Sequence, residues 1–181
     1  MRSEKQVLER AIFSGGCFWC MEPPFSKIDG VKSVRVGYTG GTTENPSYQM
    51  VCSGETGHAE AVEVTFDPTR VTYAELVEVF WRTHDPTDAG GSFHDRGSQY
   101  RSGIFYLNDG QRQVAEASKR VLESSGRFSR QIATEVSQAG LFYPAEPDHQ
   151  GYWKKYPAHY QSYRQGSGRD RFFKAVWSKK E

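Results

Sequence analysis

Cysteine is scarce in this chain of 181 residues: only Cys17, Cys20 and Cys52 are present. Three thiols cannot close a disulfide framework, and a chain of this length does not need one to fold. No apolar run approaches the roughly 18 residues that span a bilayer, so no membrane helix is expected. Met1–Arg10 reads MRSEKQVLER and lacks the apolar stretch of a secretory leader. Charge of either sign is not in excess. The 23 Lys and Arg against 22 Asp and Glu leave a net charge of +1, which gives no bulk attraction to nucleic acid or acidic membranes. Internal repeats and low-complexity stretches are missing too. The expectation is a soluble, cytoplasmic, monomeric protein forming one domain over 1–181.

Aromatic residues are what the chain does have, at 14%, with Tyr 10, Phe 11 and Trp 4. Disordered chains are poor in rings, so a compact core built on them is expected. Val7–Phe13 is apolar and stops at Ser14-Gly15-Gly16, which predicts a strand entering a tight turn. Phe18–Ile28 reads as a helix in which Pro23 and Pro24 are accommodated only in a first turn, and Asp29-Gly30 ends it. Val34, Val36 and Tyr38 alternate with polar residues, as in a half-buried strand. Residues 39–58 read as a polar loop with one short helix. Glu60, Val62, Val64 and Phe66 share one parity of a further strand. Thr72 and Glu75 form a capping box ahead of Leu76, Val77, Phe80 and Trp81 at helical spacing. A second polar loop covers 85–101. Ile104–Leu107 is apolar on both parities and predicts a central strand. Asp109 is expected to cap a helix with Val114, Ala117 and Val121 on one side, and Ile132–Val136 to form the last strand. Two successive βαβ-like halves predict an α+β fold, a mixed sheet with helices packed on it. Tyr143–Arg171 contains no Val, Ile, Leu or Met, only rings such as Tyr152, Trp153 and Tyr163. An irregular arm over about 143–181, wrapping the globule, is expected.

Gly15-Gly16-Cys17-Phe18-Trp19-Cys20 falls between the first strand and the first helix. Unpaired amides at a helix start favour an anion, so a thiolate there, in a Cys-x-x-Cys setting, is expected to have a lowered pKa. A structural zinc site would need four ligands, and Cys52 is the only further thiol; no two histidines stand at a ligand spacing of three to five. No metal and no other cofactor are expected. A cysteine phosphatase would carry arginine six positions after its nucleophile, and this chain has Pro23 there.

Several segments resemble one family, peptide methionine sulfoxide reductase A. They are GGCFWCMEPPF (Gly15–Phe25), GYTGG (Gly37–Gly41) and NPSYQMVCSGETGHAEAVEVTFDP (Asn45–Pro68). FWRTHDPTDAGGSFHDRGSQYRSGIFY (Phe80–Tyr106) and FYPAEPDHQGY (Phe142–Tyr152) continue the match. The resemblance implies a ferredoxin-like α/β plait as the core. It also implies reduction of the S epimer of methionine sulfoxide, free or in proteins, with thioredoxin or a similar thiol as reductant. Residue by residue, it implies Cys17 as nucleophile and Glu60 as acid, Tyr48 and Tyr100 as donors to the sulfoxide oxygen, and Asp95 as the loop aspartate. Phe18 and Trp19 would grip the substrate methyl group.

The chemistry asks for the same groups. Sulfoxide reduction needs a nucleophile at sulfur and a proton for an oxygen that leaves poorly. Glu60 lies on the apolar parity of its strand, where desolvation is expected to keep it protonated. The reaction leaves a sulfenic acid on Cys17 that a second thiol must resolve. Many relatives carry recycling cysteines near the C-terminus, but 166–181 holds none here. Cys20 is the candidate resolver, Cys52 the alternative, and direct attack by an external thiol the third route. A thiol-disulfide oxidoreductase indifferent to Glu60, or a peptide-binding module indifferent to Cys17, would be the competing readings.

Overall fold

The computed structural model describes residues 6–178. The leader reading over residues 1–5 and the last three residues of the arm lie outside the described residues. In chain order the elements are β1 (Glu9–Gly15), α1 (Phe18–Ser26), β2 (Val31–Thr39), α2 (Tyr48–Cys52), β3 (Ala59–Phe66) and α3 (Tyr73–Trp81). A small hairpin, β4 (Gly91–Ser92) and β5 (Asp95–Arg96), precedes β6 (Ser102–Tyr106), α4 (Asp109–Ser124), β7 (Glu135–Gln138) and β8 (Tyr143–Pro144). The chain ends in α5 (Tyr152–Lys155), α6 (Pro157–Ser167) and α7 (Arg169–Trp177). Among the described residues no helix is long and apolar enough to cross a membrane.

The sheet order is β7-β6-β1-β3-β2-β8. Strand β3 runs antiparallel to both β1 and β2, and β1 antiparallel to both β3 and β6. Each βαβ unit is therefore split by a strand of the other: β3 lies between β1 and β2, and β1 between β3 and β6. This is the predicted α+β class with a mixed sheet, compatible with the ferredoxin-like arrangement. Helices α1, α3 and α4 pack on one face through Phe18, Met21, Phe25, Leu76, Phe80 and Leu122, against Phe13, Val62, Val64 and Ile104. Ile12, Ala61 and Phe105 point to the other face, where Ala139 and Phe142 cover them. Residues 104 and 105 thus bury on opposite sides, as their double parity predicts.

Five expectations are corrected. Pro23 and Pro24 lie inside α1, not in its first turn. They remove two amides from the ladder, and the helix persists because Met21, Pro23 and Phe25 are buried. Asn108, not Asp109, caps α4, accepting the Gln111 amide at 2.9 Å. That helix turns Gln111, Ala115 and Leu122 inward and leaves Val121 exposed, because Gln111 Nε2 binds the Arg10 carbonyl at 2.7 Å. The last strand is β8, which pairs with β2 after β7. The arm is largely helical from Tyr152 to Trp177. Pro157 starts α6, and Gly168, at φ +83°, ends it and starts α7.

Candidate active site

Strand β1 runs into a turn whose second glycine, Gly16, has φ +97° and no room for a side chain: a Cβ there would lie 2.4 Å from Ser92 Cβ. The turn delivers Cys17 as the N-cap of α1, its carbonyl accepting the amides of Cys20 and Met21 at 3.0 and 3.3 Å. The first helical amide, Phe18 N–H, donates to Glu60 Oε2 at 3.1 Å. Glu60 is only 1% exposed and lies on β3 opposite Tyr38. Burial lifts its carboxyl to about 8, against the pull of the Phe18 amide, with Asp95 and Cys20 adding to the lift. At neutral pH Glu60 holds a proton.

The expected lowering of the Cys17 pKa is not what the geometry produces. Burial pushes this thiol well above its ordinary value, and the hydrogen bond to Cys20 and the charge of Glu60 act in the same direction. The helix start still pulls the other way, because the Trp19 amide bonds the sulfur, but burial outweighs it; the Phe18 amide serves Glu60. Cys20 moves the other way, to about 7, because it accepts the Cys17 hydrogen bond against its own burial, helped by Arg169 and Arg164.

Tyr48 opens α2, which Ser47 caps, and its ring lies 6.3 Å from Phe18. Tyr100 ends the short 3₁₀ turn Ser98–Tyr100. Both phenols are held neutral by burial, and Glu60 adds to the effect once it ionises. Both hydroxyls hydrogen-bond Cys52, an exposed residue at the end of α2. Cys52 is therefore a polar partner of the tyrosines rather than a packed apolar residue. Asp95, on β5, accepts a hydrogen bond from Tyr163 of α6.

Phe18 is fully buried against Tyr38, with ring centroids 5.8 Å apart. Trp19 is partly exposed. Tyr152 stacks on its indole at 4.0 Å, Tyr163 meets it edge-on at 5.8 Å, and Trp19 Nε1 donates to His149 Nδ1 at 3.1 Å. Burial lowers the His149 pKa, so a neutral ring accepts that bond. The structure gathers every residue singled out in the sequence into one region, with Cys52 beyond the tyrosines. Sequence reasoning missed His149, Tyr152 and Tyr163. Their signal was the run of rings after Tyr143, but Trp19 and His149 are 130 positions apart and only the fold pairs them.

A nucleophilic sulfur, a second thiol, a buried protonated acid and two neutral phenols on this α+β scaffold define a cysteine-dependent oxidoreductase. The family model of peptide methionine sulfoxide reductase matches residues 9–181. Similar proteins include the peptide methionine sulfoxide reductase MsrA of Listeria innocua, 56% identical over 96% of this chain and 98% of the relative. That of Bacillus licheniformis is 55% identical over 95% of each. Among solved structures, methionine sulfoxide reductase A of Corynebacterium diphtheriae superposes with a TM-score of 0.75 at 37% identity, covering 87% of this chain and 78% of that one. Reduced Mxr1 of Saccharomyces cerevisiae gives 0.77 at 32% identity, with 86% and 89% covered. The chain belongs to the peptide methionine sulfoxide reductase family.

Proposed function

We propose that this protein reduces the S epimer of methionine sulfoxide, free and in proteins, to methionine, with Cys17 as nucleophile. The observation that carries this reading is the protonated Glu60, held by the Phe18 amide next to Cys17. The Cys17 sulfur attacks the sulfoxide sulfur while Glu60 gives its proton to the oxygen, with Tyr48 and Tyr100 donating hydrogen bonds to that oxygen. The proton of Cys17 leaves towards Cys20, which it already faces. Phe18 and Trp19 enclose the methyl group, with His149 fixing the indole. Burial keeps Glu60 protonated, and the charge of Asp95 adds to it. Methionine departs and Cys17 is left as a sulfenic acid.

Cys20 resolves that acid to a Cys17–Cys20 disulfide, which thioredoxin or a similar thiol reduces. The chain works as one domain, a soluble cytoplasmic monomer. Incubation with each epimer of a blocked methionine sulfoxide and dithiothreitol tests the reaction. The S epimer is consumed and the R epimer is not; equal consumption of both would overturn the stereochemical assignment.

A further inference from the structure

Arg169 opens α7 and is 1% exposed. Its Nη1 donates to the Thr83 carbonyl at 2.6 Å; its Nη2 donates to the Gly15 carbonyl at 3.2 Å and to Ser92 Oγ at 3.3 Å. The guanidinium lies 4.9 Å over the Phe93 ring, and its Nε has no partner. Every one of these contacts is neutral, and no carboxylate pairs with it among the described residues. A buried cation normally has an anion beside it, because desolvating a lone charge is costly. Here the cation sits behind the turn that launches α1: a Cβ on Gly16 would lie 2.7 Å from Arg169 Nη2.

We infer that Arg169, seconded by Arg164, is the positioning charge for resolution, the counter-ion of the Cys20 sulfur as it attacks the Cys17 sulfenic acid. This rests on the reading that Cys20 is the resolver. In that step the Sγ–Sγ bond forms, the S–O bond breaks, and the Cys20 proton and the sulfenic hydroxyl leave together as water. Arg164 is already ion-paired with Asp170 at 2.9 Å, so Arg169 supplies the unneutralised charge.

The groups around Cys20 support the assignment. Arg169 from α7 and Arg164 from α6 favour its anion, whereas Asp95 from β5 disfavours it. Cys17 donates a hydrogen bond to it. Tyr160 and Tyr163 from α6 are neutral, with their pKa values raised by burial. Glu60 from β3, having given its proton to the sulfoxide oxygen, regains one from solvent at neutral pH because burial lifts its carboxyl to about 8. His84 lies close to Arg169 and is neutral, its pKa lowered to about 3 by burial and by the arginine. An ordinary thiol is only a few per cent ionised at pH 7, so removing the cation costs thiolate fraction and hence attack rate.

The test is rapid-quench mass spectrometry of Cys17–Cys20 disulfide formation after one turnover, normalised to methionine released and repeated across pH. Arg169→Met is expected to slow the normalised step about tenfold near neutrality and raise its pH midpoint by about one unit. Arg169→Lys, which keeps the charge, is expected to return the midpoint towards wild type. A purely structural role would slow the step at every pH without moving the midpoint. A folded Arg169→Met with an unmoved midpoint overturns the proposal. Should that variant fail to fold, Arg169→Gln, which removes the charge but keeps an amide to bond the neighbouring carbonyls, decides by the same reading: an upward midpoint shift supports the proposal, and an unmoved midpoint overturns it. A wild-type disulfide other than Cys17–Cys20 would instead defeat the resolver reading beneath it.

Discussion

The Phe18 amide reaches Glu60 Oε2 at 3.1 Å, so the residue after the proposed nucleophile holds the proposed acid. One helix start therefore positions both reaction partners, Cys17 through its cap position and Glu60 through the first free amide. Two opposing effects act on the carboxyl. The amide bond favours the anion and burial favours the acid, and burial wins. A solvated glutamate at the same spot would already have lost its proton at neutral pH and could give none to the sulfoxide oxygen.

That balance fixes a pH dependence. The single-turnover rate is expected to hold up to neutrality and to fall as pH rises through about 8, where Glu60 ionises. Glu60→Gln cannot deliver the proton, and its first-step rate is expected to drop by about 10²–10⁴-fold. A loss under about threefold, far short of that contribution, would move the proton source to Tyr48, Tyr100 or water. Stability follows the same group. The native state keeps a proton that the unfolded chain releases near its ordinary pKa of 4.5, so stability declines as pH rises from there to about 8. Denaturant melts across that range are expected to show a shallower decline in Glu60→Gln.

Cys17→Ser is expected to abolish sulfoxide reduction with dithiothreitol as reductant, because a hydroxyl is barely ionised and attacks sulfur poorly. Substantial methionine release by this variant would overturn Cys17 as the nucleophile, whereas peptide binding without turnover in either protein would point to a binding module. Conversely, disulfide exchange that ignores loss of Glu60 would point to a general thiol-disulfide enzyme.

Much of this site is legible in the amino-acid sequence, and the reason is local. The glycine turn before Cys17, the apolar parity of Glu60 and the capping box at Thr72 each depend on neighbours within a few residues. Charge and burial from distant segments are not legible there. Placing Cys17 at a helix start suggests a thiolate, and the Trp19 amide does favour one, yet burial by distant segments outweighs it, while the Phe18 amide serves Glu60, 42 positions away in sequence. The arm reads as irregular because it lacks aliphatic residues; its helices instead bury rings, Trp177 against the core and Phe93 between Phe172 and Phe173. Arg169 carries no pattern at all, since its partners come from three separate segments.

His149 is expected to act on substrate binding more than on chemistry. Its ring accepts the Trp19 indole hydrogen bond and lies 4.3 Å from Tyr48, bracing one wall of the methyl pocket. Removing one such bond costs about 1 kcal/mol, so His149→Ala is expected to raise KM about fivefold with kcat nearly unchanged. Steady-state kinetics on free and peptide substrates measure the split. A fall in kcat at constant KM would place His149 in the chemical step instead.

Recycling is where the two remaining cysteines part. Cys20 is 1% exposed, one helical turn from Cys17, and already shares a hydrogen bond with it. Cys52 is exposed but engaged by Tyr48 and Tyr100, so its attack would first have to release both of the phenols proposed to bond the sulfoxide oxygen. Pro23 and Pro24 stiffen the second turn of α1, so the backbone movement that closes a Cys17–Cys20 disulfide falls on Phe18 and Trp19. Those residues are the proposed methyl pocket, and closure is therefore expected to loosen bound methionine. Cys20→Ser is expected to complete one turnover at near wild-type speed, then to stall with thioredoxin while still recycling with a small thiol that reaches Cys17 directly. Cys52→Ser is expected to recycle with thioredoxin as the wild type does. The reverse pattern would make Cys52 the resolver, and normal recycling by both variants would mean that an external thiol attacks Cys17 without an internal partner.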